Sequence, residues 1–109
     1  MHLLLDGVHF GSLANYGYET PWAIARITPD DAEAYARLCR ASEFWARDDV
    51  PDDDAEYERL LEELGITEAD IRTLNLGRWT IDNPGSTLQG AIVLTECAAD
   101  GWITWRWSG

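Results

Sequence analysis

At 109 residues, with 46% hydrophobic residues and 6 tryptophans, the chain is long enough for one hydrophobic core, and too apolar to be disordered despite a formal net charge of -12. No apolar run approaches a membrane-spanning length, and Met1 to Asp6 holds neither a basic region nor a long apolar stretch, so neither a membrane span nor secretion is expected and the cytoplasm is the expected compartment. All 8 basic residues are arginine, which excludes chemistry that requires a lysine amine.

The N-terminal segment His2 to Phe10 has apolar residues on both sides of Asp6-Gly7, a dipeptide that favours the positive φ angles of a tight turn, so a strand or a short hairpin is expected. Gly11 to Pro21 is rich in Gly, Ser, Asn and Tyr without clear periodicity and reads as a loop, followed by a strand at Trp22 to Ile27.

Thr28-Pro29-Asp30-Asp31 predicts a helix start, with Thr28 as the cap, Pro29 in the first helical position and two acids against the positive end of the dipole. This first helix should reach about Arg47. Tyr35, Leu38, Cys39, Ser42, Trp45 and Ala46 form its inner face, and Glu33, Arg37, Arg40, Glu43, Phe44 and Arg47 its outer one, with Glu33/Arg37 and Glu43/Arg47 spaced to pair.

Asp48-Asp49-Val50-Pro51-Asp52 leads to a second helix with a buried stripe of Tyr57, Leu60, Leu61 and Leu64, ended by a left-handed Gly65. A third helix begins at Thr67, where Asp70 supplies a capping box and Ile66 and Ile71 a hydrophobic staple, and it ends near Gly77.

Trp79 and Ile81 alternate with Arg78, Thr80 and Asp82 in strand fashion, Asn83 to Ser86 makes a turn, and Ala91 to Cys97 and Trp102 to Trp107 read as strands joined at Asp100-Gly101. The expected fold is a single α+β domain spanning 1–109. An antiparallel sheet, made of the N-terminal strand or hairpin and a C-terminal three-stranded meander, carries the three central helices on one face, with its Trp-rich strands toward them.

The negative charge is local. Residues 28–70 hold 15 acids against 4 arginines, whereas residues 71–109 balance at 3 against 3. A solvated, self-capping acidic surface is the plain explanation for such a run. Calcium is not expected, because the run lacks the central glycine of the common loop motif and its later carboxylates would point around a helix instead of converging.

The apolar skeleton of Tyr57 to Leu76 matches a helix-turn-helix, but Thr67, Glu68, Asp70 and Thr73 would face the groove, and carboxylates there repel phosphates, so direct nucleic-acid binding is not expected. The 2 histidines, His2 and His9, accompany no catalytic motif, and exposed helical carboxylates have no cause for raised pKa values; neither an enzyme nor a cofactor or metal is expected. Cys39 and Cys97, on a helix and a strand, are expected to be buried reduced thiols, able to bond only if those elements meet.

So concentrated a charge destabilises the fold by self-repulsion and resembles the phosphate backbone as an electrostatic object. The reading that uses it is a small acidic inhibitor, of the toxin-immunity or phage anti-defence (anti-CRISPR) type, that presents an anionic helical surface to a basic, nucleic-acid-handling protein. Asp48, Asp49, Asp52, Asp53, Asp54, Glu58, Glu62 and Glu63 are the candidate contacts, with Phe44 and Trp45 as an aromatic anchor. The alternatives are an accessory subunit that binds through its Trp-rich sheet, and a small ligand-binding domain or enzyme, which would show a concave pocket with converging polar groups.

Overall fold

The computed structural model describes residues 1–47 and 52–108. In chain order these form β1 (His2–Leu5), β2 (Val8–Glu19), β3 (Trp22–Pro29), α1 (Ala32–Trp45), α2 (Asp54–Leu64), α3 (Glu68–Leu76), β4 (Trp79–Asp82), β5 (Gly90–Cys97) and β6 (Trp102–Trp107).

The strands close into an antiparallel barrel in the order β1-β2-β3-β6-β5-β4, which overturns the expected open sheet with helices on one face. Closure is made by β1, which pairs with β2 through Leu3↔Gly11 and with β4 through Leu3↔Ile81. A four-residue strand cannot announce a partner nearly eighty residues away, because alternation reports which side chains point inward and not which strand lies beside them.

A second correction concerns Gly11 to Pro21, expected as a loop. Most of it belongs to β2, which pairs with β3 from Gly11↔Pro29 to Glu19↔Trp22. Its alternation is hidden by Gly11, which points inward without a side chain, and by a bulge between Ala14 and Gly17, where Asn15 takes φ 57°. Gly11 is required sterically, since a Cβ there would lie 2.7 Å from Ile27 Cγ1 and 2.9 Å from the Thr28 carbonyl oxygen.

Every strand turns one set of residues inward: Leu3, Leu13, Ala23, Ala25, Ile27, Trp79, Ile81, Ile92, Leu94, Cys97, Ile103 and Trp105 are all buried. A barrel this narrow fills by matching small residues to large ones across a rung. Ala23 faces Trp105 and Ala25 faces Ile103 across the β3–β6 seam, and all four are fully buried. The turns at Asp6-Gly7 and Gly101 have the positive φ angles that the sequence implies, at 50°, 83° and 97°.

The helices are inserted between β3 and β4 and meet the barrel at one end. The Tyr35 hydroxyl donates to the Ala98 carbonyl at 2.6 Å, the Cys97 N–H donates to Ser42 Oγ at 3.1 Å, and the Trp79 indole N–H donates to the Thr73 carbonyl at 3.0 Å. Of the strand tryptophans Trp79 reaches α3, but Trp105 lies inside the barrel and Trp22 outside it, so the Trp-rich strands do not together present a face to the helices as expected.

The helix starts at Asp31, not Thr28: Asp31 Oδ1 accepts the N–H groups of Glu33 and Ala34, while Thr28 and Pro29 remain in β3. Arg37 pairs with Asp70 on α3 at 3.2 Å instead of with Glu33. The end of α1 is rotated from expectation, with Phe44 buried and Trp45 exposed. The cause is α2, which covers that flank and sets Tyr57 edge-on to Phe44 with ring centroids 5.6 Å apart.

At the start of α3, Asp70 Oδ2 accepts the Thr67 N–H at 2.8 Å, and Ile66 and Ile71 are buried, as the capping box and staple imply. Gly65 closes α2 at φ 69°.

Candidate functional site

Helix α2 exists because Asp53 caps it and one stripe of apolar residues pins it. Asp53 Oδ1 accepts the N–H groups of Ala55 and Glu56 at 2.9 and 3.1 Å. Leu61 is buried, and Tyr57, Leu60 and Leu64 pack half-buried against the core. The remaining turns face solvent.

At 100° per residue, Asp54, Glu58 and Glu62 fall on one ridge at i, i+4 and i+8, whereas Glu56 and Glu63 lie farther round the helix, beyond Arg59. All five are exposed, as are Asp52 and Asp53. Arg59 lies among them. Among the described residues the ion pairs are His9–Asp30, Arg37–Asp70 and Arg72–Glu68, none of which takes in an α2 carboxylate. The row Asp54, Glu58 and Glu62 is therefore anionic along one side of the helix, and Arg59 separates it from Glu56 and Glu63. Asp48 and Asp49 lie outside the described residues.

The aromatic anchor divides. Phe44 is 3% exposed and serves the α1–α2 contact, so it is unavailable to a partner; Trp45 is 61% exposed at the end of α1.

Trp45 also lines a groove of about 1280 Å³ between α1 and the barrel, which sequence reasoning did not locate. Its floor holds Tyr35, Cys39, Ser42 and Cys97, and its rim holds Arg26 and Arg40 with Glu43, Glu96 and Asp100. Burial raises the Tyr35 hydroxyl and both thiols above their ordinary pKa values; the thiols push Tyr35 further up and Cys39 does the same to Cys97, while the Tyr35 hydrogen bond only partly offsets the rise at Cys39, so all are protonated at neutral pH. The one available signal was that Tyr35, Cys39 and Ser42 lie on one helical stripe that is too polar for an ordinary core.

A second constellation was also missed. His2 Nδ1 lies 3.0 Å from His9 Nε2, and His9 Nδ1 lies 2.5 Å from Asp30 Oδ2. The Asp6-Gly7 hairpin folds the two imidazoles together, a proximity that was readable once that turn was placed. The chain of three sits on the outer barrel surface and lines neither the groove nor the smaller cleft beside Leu5 and Phe10. On the outer surface of β3 and β5, Trp22, Ile24 and Val93 are exposed, with the Arg106 guanidinium 5.6 Å from the Trp22 ring centre.

Among the described residues, no group of three or more His, Cys, Asp or Glu is arranged to hold a metal ion, and no helix is long and apolar enough to cross a membrane. No family model, curated protein or solved structure matches the chain.

Proposed function

We propose that the protein is a small acidic inhibitor or neutraliser, acting in the cytoplasm, whose α2 ridge occupies the basic surface of a nucleic-acid-handling partner. The observation that carries this reading is the ridge itself. Asp54, Glu58 and Glu62 point to solvent in one line, Asp52 and Asp53 extend it at the N-terminal end, and no ion pair among the described residues neutralises it. Such a line draws a cationic groove at a rate well above neutral encounter, and the attraction is screened by salt. Trp45, exposed where α1 leads toward the acidic segment, adds an apolar contact of the kind that dominates interface energetics.

The α1–barrel groove favours a second reading, a binding domain for a small molecule or extended peptide. Its volume of about 1280 Å³ exceeds that of most drug-sized sites, and it combines an apolar floor with Tyr35, two thiols and charges of both signs.

Immobilised protein exposed to an extract of its source cell separates the two. Under the first reading, the retained partner is basic and is released both by moderate salt and by duplex DNA. Under the second, release needs neither, and Trp45→Ala or Cys39→Ser removes retention while neutral substitutions on α2 do not.

A further inference from the structure

Both cysteines are free, and both lie in the same groove floor. Their positions are set by two hydrogen bonds that clamp α1 to the end of β5. Tyr35 holds the carbonyl of Ala98 and Ser42 holds the N–H of Cys97. Cys39 sits between those anchors on the same helical stripe, four residues after Tyr35 and three before Ser42, so its side chain is directed at the segment Cys97-Ala98. Cys97 pairs across the ladder with Ile103, which is fully buried, so its side chain is on the buried face of β5, and it lines the same groove as Cys39 on α1. Cys39 is half-buried at the groove, whereas Cys97 is 4% exposed.

We propose that Cys39 and Cys97 are an oxidative modification site, a dithiol that a low-molecular-weight disulfide converts to an intramolecular Cys39–Cys97 bond joining α1 to the barrel. The Cys39 thiolate, reached through the groove, attacks one sulfur of the oxidant; that S–S bond breaks, one small thiol leaves with a proton, and a mixed disulfide forms on Cys39. The Cys97 thiolate then attacks Cys39 Sγ and expels the second small thiol. Two protein thiols are oxidised and one small disulfide is reduced to two thiols. Because both steps need thiolates and burial keeps both groups protonated, the exchange is slow at neutral pH and accelerates as pH rises. The product closes a loop from residue 39 to residue 97, long enough for a large loss of freedom in the unfolded chain.

The test is incubation of the reduced protein with glutathione disulfide at mildly alkaline pH, followed by peptide mass mapping and thermal unfolding. The expected result is loss of two hydrogens from the intact mass, a crosslinked peptide pair containing Cys39 and Cys97, and a melting temperature higher by roughly 10 °C. In Cys97→Ser the glutathione adduct on Cys39 should persist, because nothing resolves it. A lasting glutathione adduct on Cys39 in the wild-type protein would overturn the proposal, as would two wild-type thiols that stay unreacted at mildly alkaline pH. The wild-type masses decide the matter even if the serine variant folds poorly.

Discussion

Ser42 Oγ accepts the backbone N–H of Cys97 at 3.1 Å, and neither residue is more than 6% exposed. This bond holds the C-terminal half of α1 against the end of β5 at the point where the ladder runs out. A polar residue on the buried face of an amphipathic helix is thereby explained: the strand end has a donor with no strand partner, and the helix supplies the acceptor. Ser42→Ala leaves that N–H buried and unpaired. The expected loss is about 1–3 kcal/mol of stability, visible as a lower urea midpoint with an unchanged m-value.

Helix α2 is attached by little. Among its residues only Leu61 is buried, with Tyr57, Leu60 and Leu64 contributing part of their surface. Leu61→Ala should therefore release the helix without dissolving the barrel. Hydrogen exchange in residues 54–64 should approach that of an unfolded segment, while the amides of β5 and β6 keep their protection. Loss of protection everywhere at once would show instead that α2 and the barrel fold as one unit.

The Asp70 carboxyl carries a pH-dependent share of the stability. Partial burial pushes its pKa up, but the Thr67 N–H and the Arg37 guanidinium outweigh that and hold it below the ordinary carboxylate value. A group whose folded pKa is depressed stabilises the protein above its unfolded pKa, near 4, and loses that contribution as pH falls through the lower folded value. Asp70→Asn should thus be less stable than wild type at neutral pH by about 1 kcal/mol, a figure reduced by the exposure of Arg37. The difference should shrink steadily in denaturation curves taken from pH 5 down to about pH 2.

Local signals were legible in the sequence where a residue type answers a backbone need. Asp6-Gly7, Gly65 and the Thr67–Asp70 box all sit where their chemistry places them, because positive φ angles and orphan N–H groups admit few solutions. The barrel was not legible. Its closure depends on β1 finding β4 across the chain, and its longest strand passes through Gly11 and the Asn15 bulge, where composition imitates a loop. The rotation of Phe44 and Trp45 was likewise decided by α2, an element whose packing the α1 sequence does not contain. Of the functional surfaces, the acidic helix could be read directly because charge needs no tertiary partner to be seen. The groove and the His2–His9–Asp30 chain needed the fold, since each joins residues from separate elements.

The anionic ridge on α2 is the central claim, and the equilibrium affinity for the retained basic partner tests it most directly. The comparison is between wild type and a variant carrying Asp52→Asn, Asp54→Asn, Glu58→Gln and Glu62→Gln, which spares the capping Asp53 and the buried stripe. The account predicts binding at least about tenfold weaker in the variant, a flatter dependence on salt, and folding stability equal to or slightly above wild type as self-repulsion falls. Unchanged affinity with unchanged salt dependence in a folded variant would contradict it.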